Sequence, residues 1–157
     1  MRVGKKELST IWLEGDSVKI IDQTKLPFFL KICRLKTLPD FCFAIKNMLV
    51  RGAPLIGVTA AFGYALAIRK DPSNTNLQNS YKKLLDTRPT AINLKWALQL
   101  MKKQVSLISK QKRGIYAINL AKKIREKDIE SCRKIGEYGF DIIKKLFLKK
   151  KRRINIL

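Results

Sequence analysis

Apolar and polar residues trade places along two short runs, Thr10 to Glu14 and Ser17 to Ile21, that are parted by Gly15-Asp16. Alternation sends successive side chains to opposite faces of a strand, and a glycine-containing pair between two β-rich runs suits a tight turn. The pattern therefore predicts an antiparallel hairpin. After Asp22-Gln23-Thr24-Lys25-Leu26-Pro27 comes a second apolar-rich piece, Phe28 to Leu35, which predicts a third strand in the same sheet.

From Thr37 the period lengthens to that of a helix. Thr37 is placed as an N-cap with Pro39 in the first turn, and Phe43, Ile45 and Leu49 supply the apolar positions of a helix ending near Arg51-Gly52. Pro54 opens a second helix with Leu55, Val58, Phe62 and Leu66 along one stripe. Gly57, Ala60, Ala61, Gly63, Ala65 and Ala67 occupy much of the rest, so a neighbouring element is expected to pack very close. Asp71-Pro72-Ser73-Asn74 is a turn cluster, and Leu77 to Leu85 a short helix ending before Asp86-Thr87-Arg88-Pro89-Thr90. Leu94, Ala97, Leu98, Met101, Val105 and Ile108 step by three and four, as an amphipathic helix does. Gln111 to Gly114 breaks the pattern, and Ile115, Ile118, Ala121, Ile124 and Ile129 lead on through Cys132 to Leu146 as one long helix or two shorter ones.

The fold class expected is mainly α: a small N-terminal antiparallel β-sheet over residues 1–36, a helical bundle over 37–148 and a basic tail over 149–157. Strands do not alternate with helices and no glycine-rich turn joins a strand to a helix, which excludes a doubly wound nucleotide-binding domain for these residues.

Composition adds a strong positive charge, formally +22 over 157 residues. Such a field attracts polyanions without sequence-specific contacts. Here the excess is mostly Lys spread over nearly every segment, and aromatics make up 8% and fall at core spacing instead of among the charges. A solvated basic surface is the better reading, and a nucleic-acid partner ranks last, resting on the acid-free cluster Lys144, Lys145, Lys149, Lys150, Lys151, Arg152 and Arg153. Cys33, Cys42 and Cys132 are odd in number and form no C-x-x-C pair, so neither a disulfide framework nor a structural zinc site is expected, and all three read as small core residues. With no histidine in the chain, Ser-His and Cys-His nucleophile pairs are excluded. Lys5 and Lys6 lead into a polar stretch unlike a secretory signal, and the most apolar run, Leu55 to Ile68, falls short of the roughly 20 residues a membrane span takes. A cytoplasmic protein with no membrane association is expected.

Two segments could carry chemistry, Arg51-Gly52-Ala53-Pro54 and Thr87-Arg88-Pro89-Thr90. Each sets an Arg just ahead of a predicted helix with Pro near its first position, where a missing N–H is no loss. Free N–H groups and the positive end of a helix favour an anion, and a guanidinium can grip phosphate with two parallel bonds. Either motif alone reads more readily as helix punctuation beside a surface charge; together they could hold one sugar phosphate.

The run from Ala44 to Ala67, which contains Val50-Arg51-Gly52-Ala53-Pro54-Leu55-Ile56-Gly57, resembles the most diagnostic segment of the methylthioribose-1-phosphate isomerase family, which also includes regulatory subunits of the translation-initiation guanine-nucleotide exchange factor. Ile21-Asp22-Gln23-Thr24-Lys25-Leu26-Pro27, Thr87-Arg88-Pro89-Thr90-Ala91-Ile92-Asn93-Leu94 and Ile135-Gly136-Glu137-Tyr138-Gly139 follow the family's order and approximate spacing. The similarity covers nearly the whole chain.

That resemblance implies a β-sheet and helical bundle followed, in the family, by a Rossmann-like domain carrying a catalytic Cys and Asp. It implies an aldose–ketose isomerisation of methylthioribose 1-phosphate to methylthioribulose 1-phosphate in methionine salvage, with no metal or organic cofactor. Arg51, Gly52, Ala53 and Arg88 match substrate-contacting positions, and no residue of this chain matches a catalytic one. In the family an Ile-Asn-Ile-Leu segment runs into Thr-His-Cys-Asn-Ala-Gly, whereas here Ile154-Asn155-Ile156-Leu157 are the last residues, so the second domain is expected to lie outside them and the chain alone to be inactive. A sugar-phosphate substrate, a separate C-terminal half and a second copy in a homodimer are the partners implied. The alternative within the family is a regulatory or scaffold protein without isomerase chemistry.

Overall fold

The computed structural model describes residues 2, 3 and 6–155, with side chains from residue 8 onward. Lys5, and the Ile156-Leu157 end of the Ile-Asn-Ile-Leu segment, lie outside the described residues. A two-stranded ladder pairs β1 (Arg2–Val3) with β2 (Lys6–Glu7). A separate antiparallel sheet has the order β3 (Ile11–Glu14), β4 (Ser17–Ile21), β5 (Ile32–Leu35).

The predicted hairpin forms as expected: Glu14 faces Ser17 across the β3–β4 turn, and Gly15 takes the positive φ of 59° that this tight turn requires. Val18, Ile20 and Ile21 send the central strand into the core. The third strand is shorter than the run Phe28 to Leu35 suggested. β4 ends at Ile21, opposite Ile32, and beyond that pair only the Lys31 carbonyl still accepts from across, taking the Asp22 N–H at 2.8 Å. The chain instead folds on itself, with Phe29 N–H donating to the Lys25 carbonyl at 2.9 Å, and Phe28 and Phe29 are exposed.

Among the described residues five helices follow: α1 (Leu38–Lys46), α2 (Ala53–Lys70), α3 (Asn74–Leu85), α4 (Ile92–Ser106) and α5 (Lys110–Lys150). Asp40 of α1 reaches back to accept the N–H groups of Lys36 at 2.9 Å and Thr37 at 2.8 Å, closing the expected N-terminus. Burial acts to raise the Asp40 pKa, and these hydrogen bonds outweigh it and hold the carboxyl below its ordinary value. The helix stops earlier than Arg51-Gly52. Leu49 N–H donates to the Ala44 carbonyl at 2.9 Å and Met48 N–H to that of Ile45 at 3.3 Å, the paired bonds of a Schellman ending with Met48 at φ 58°. Phe43, expected in the core, is exposed on this short helix, while Phe41, Ala44 and Ile45 are buried.

Helix α2 is the axle of the fold, buried on every side from Ile56 to Leu66, as a helix that is small and apolar all round should be. Its glycines set the distances to its neighbours. A Cβ on Gly63 would lie 2.8 Å from the Phe41 side chain, and one on Gly57 2.9 Å from the Asn93 carbonyl oxygen. The close approach expected from the small residues of this helix is thus made by α1 and α4. Gly63→Ala is expected to cost about 2 kcal/mol, the range for forcing a methyl into a filled core, read as a lowered urea midpoint with unchanged slope.

The break expected at Gln111 to Gly114 comes a few residues earlier, between Ser106 and Lys110, and α5 then runs unbroken for 41 residues, the single long helix that was one of the two expectations. Gly114 is there for packing, since a Cβ on it would come within 3.0 Å of the Arg69 Cα on α2. Beside it Arg113 is buried with no carboxylate partner among the described residues, and it donates to the carbonyls of Ile108, Pro72 and Ser106 and to Asn74 Oδ1.

Tyr64 of α2 is fully buried, and its hydroxyl has no hydrogen-bond partner among the described residues. Burial pushes its pKa far above the ordinary phenol value, with the Arg113 charge opposing. A raised native pKa means stability that is complete below the unfolded value near 10 and drains away as pH climbs past it. Tyr64→Phe is therefore expected to gain about 1 kcal/mol at neutral pH by removing an unsatisfied polar group, and to lose less stability than the parent chain above pH ~10 in denaturant titrations.

The chain divides into two compact units, one up to Ile124 and one from Arg125 onward. The second is the far part of α5, where Arg133 bridges Glu130 at 2.8 Å and also pairs with Glu137. Among the described residues from Arg125 on none is buried, so Cys132 is exposed instead of being a core residue; Cys33 and Cys42 are partly buried against the core. Most aromatics outside the core, including Tyr138, Phe140 and Phe147, are also exposed, contrary to the expectation that they sit at core positions.

Candidate functional site

The helices of the first unit differ in how their first turns are satisfied. α1 is closed by Asp40, and in α3 the Ser73 hydroxyl accepts the Asn76 N–H at 3.2 Å. α2 and α4 have no side-chain cap: their N-caps are Gly52 and Ala91, and neither first turn contains an acidic residue. Each therefore presents unsatisfied N–H groups and the positive end of its dipole.

These two uncapped starts meet. Gly52, Ala53 and Ile56 from the beginning of α2 and Thr90, Ala91, Ile92 and Asn93 from the beginning of α4 line one cavity of about 510 Å³, together with Arg88. The sequence explains the meeting. Gly57 lets α4 approach until the Asn93 carbonyl touches its Cα face, which brings the two N-termini alongside each other. Gly52 has φ 95°, a conformation open to glycine, and so turns the chain into α2 without a side chain obstructing the opening.

Arg88 is half-buried, and its Nη1 donates to the Met48 sulfur at 3.0 Å. Neither Arg88 nor Arg51 takes part in an ion pair among the described residues. Pro89 is not in the first turn of a helix as the sequence suggested. It sits in a turn ahead of α4, closed by Ala91 N–H donating to the Arg88 carbonyl at 3.0 Å, where its fixed φ serves the turn. Pro54 does lie in the first turn of α2.

Of the four residues singled out from the sequence, Gly52, Ala53 and Arg88 line the common cavity. Arg51 is exposed next to Gly52 and does not line it. Thr90, from the second of the two motifs, lines it as well, and Ile56, Ala91, Ile92 and Asn93 were not singled out as site residues. The signal for α4 was the lack of any capping side chain at Ala91, directly before the helical pattern. Among the described residues, no cysteine, carboxylate or other general acid or base lines the cavity. No group of three or more Cys, Asp or Glu side chains that could hold a metal ion occurs among the described residues, and no helix among them is long and apolar enough to cross a membrane.

The sequence profile of the Initiation factor 2 subunit family matches residues 49–154, which include the whole of this cavity. The chain belongs to that family. Among curated relatives of this family member, a methylthioribose-1-phosphate isomerase of Sinorhizobium medicae is 47% identical over 96% of the chain and 42% of its own length. Two solved structures share the fold: the 5-methylthioribose 1-phosphate isomerase of Pyrococcus horikoshii, with TM-score 0.79 and 34% identity over 85% of this chain and 40% of that one, and the translation initiation factor eIF-2B subunit delta of A. fulgidus, with TM-score 0.80 and 34% identity over 87% and 42%. The chain spans about two-fifths of the length of the curated relatives it matches.

Proposed function

We propose that this cavity holds the phosphate end of a sugar phosphate, S-methyl-5-thioribose 1-phosphate, and that the chain is the substrate-holding part of an aldose–ketose isomerase that forms methylthioribulose 1-phosphate. The observation that carries the reading is the convergence on one opening of two uncapped helix starts and a guanidinium that is in no ion pair among the described residues. A dianionic phosphate there would accept N–H groups from both helices and two parallel bonds from Arg88. Arg51, exposed beside the opening residue Gly52, would contact substrate hydroxyls from outside. The relatives' names support the substrate, since those proteins are named for methylthioribose 1-phosphate.

Isomerisation moves a proton between adjacent carbons and needs groups of shifted pKa in a dry site. The cavity lining offers none, so these residues bind without turning over. The Cys and Asp of the resemblance would have to come from a further domain, on this chain or a separate one, and homodimer formation belongs to the same proposal. The scaffold reading is favoured by the likeness to the eIF-2B subunit, and the cavity that joins Arg88 to two uncapped helix starts favours the isomerase. Amide NMR distinguishes them. On titration with methylthioribose 1-phosphate the Ala53, Ile92 and Asn93 amides are expected to shift together and saturably, while shifts confined to the lysine-rich surface would point to the scaffold.

A further inference from the structure

Met48 is the C′ residue of the α1 ending, at φ 58°. Glycine is the usual occupant of that place, Asn an occasional one, and a longer side chain is disfavoured there. An outlier of this kind that persists is a pointer to function. The Met48 side chain does one specific thing: its sulfur accepts the Arg88 Nη1 hydrogen, across 40 positions of sequence, at 3.0 Å. No other acceptor for that guanidinium occurs among the described residues.

We infer that Met48 is a positioning residue, whose thioether tethers the Arg88 guanidinium over the cavity without neutralising it. This inference rests on the reading of the cavity as a phosphate site. The chemistry of sulfur suits the task. A carboxylate at this place would form an ion pair and cancel the charge a phosphate needs, and an aliphatic chain end would offer no acceptor at all. A thioether is a weak, neutral acceptor, so one N–H is restrained and the remaining donors of the fork stay free for an anion. The segment that carries Arg88 needs such help, because it is a turn fixed locally by Arg88 N–H to the Leu85 carbonyl at 3.3 Å and Ala91 N–H to the Arg88 carbonyl at 3.0 Å.

The test compares Met48→Leu, which keeps bulk and backbone demand but removes the acceptor, with Met48→Gln, which restores an acceptor at a similar reach. Two readouts are taken on the 157-residue chain: rotation of the Arg88 guanidinium by side-chain NMR, and affinity for methylthioribose 1-phosphate by calorimetry. Met48→Leu is expected to free the guanidinium and weaken binding about fivefold with the melting temperature little changed, and Met48→Gln to recover both. If the Arg88 guanidinium turns as freely in the parent chain as in Met48→Leu, the tether does not exist. If Arg88→Ala abolishes binding while Met48→Leu binds like the parent, the positioning role is wrong and the phosphate site stands. If Arg88→Ala leaves binding intact, the phosphate reading itself is wrong, and the NMR comparison still decides whether Met48 holds Arg88.

Discussion

Arg88→Ala is expected to lower the affinity of the chain for methylthioribose 1-phosphate by about 100-fold. The loss corresponds to about 3 kcal/mol, typical of removing a charged partner from an anion in a partly desolvated site. Arg88 is half-buried, lines the cavity and is in no ion pair among the described residues, so its charge is available to an anion. Arg51→Ala should cost much less, about threefold, because that side chain is exposed and water screens it. Thermal melting separates the binding effect from unfolding: neither change removes a core contact, and both proteins should melt near the parent temperature.

The largest effect on stability is expected at Arg113. Its guanidinium ties together three places along the chain: Pro72 ahead of α3, Asn74 at its start and the Ser106–Ile108 end of α4. Carbonyls at a helix C-terminus bear partial negative charge, which takes the place of the carboxylate a buried Arg usually demands. Arg113→Met keeps much of the volume but strands several buried acceptors, and about 3 kcal/mol of the unfolding free energy should go, measured by urea denaturation. For a domain whose total stability is on the order of 5–15 kcal/mol, that is a large share. Arg113→Lys should recover part of it, since an ammonium reaches fewer of the acceptors.

Local signals made the hairpin and most helices legible, because Gly15-Asp16 and the three-and-four spacing of α4 act within one element. What was misjudged depends on partners distant in sequence. Gly114 looked like a helix break, but a glycine that lets another backbone come close reads the same in sequence as one that ends a helix. The run from Phe28 looked like strand from its composition, yet β4 had no residues left to pair with it. Cys132 and Phe43 looked like core by type, and their burial is decided by which helix faces have neighbours. Gly52, Ala53 and Arg88, singled out through their motifs, line one cavity, and Arg51 does not. The sequence already offered the helix start after Arg88 as an anion site; which residues of α4 line the opening was not legible, because that depends on how closely α4 packs against Gly57.

The claim everything else depends on is that this opening selects for phosphate. Calorimetric titration of the chain with methylthioribose 1-phosphate and with methylthioribose, the same sugar without its phosphate, tests it most directly. Saturable one-to-one binding of the phosphate ester with no detectable binding of the free sugar is the result expected. Equal affinity for the two, or binding of the ester that ignores Arg88→Ala, would contradict the account.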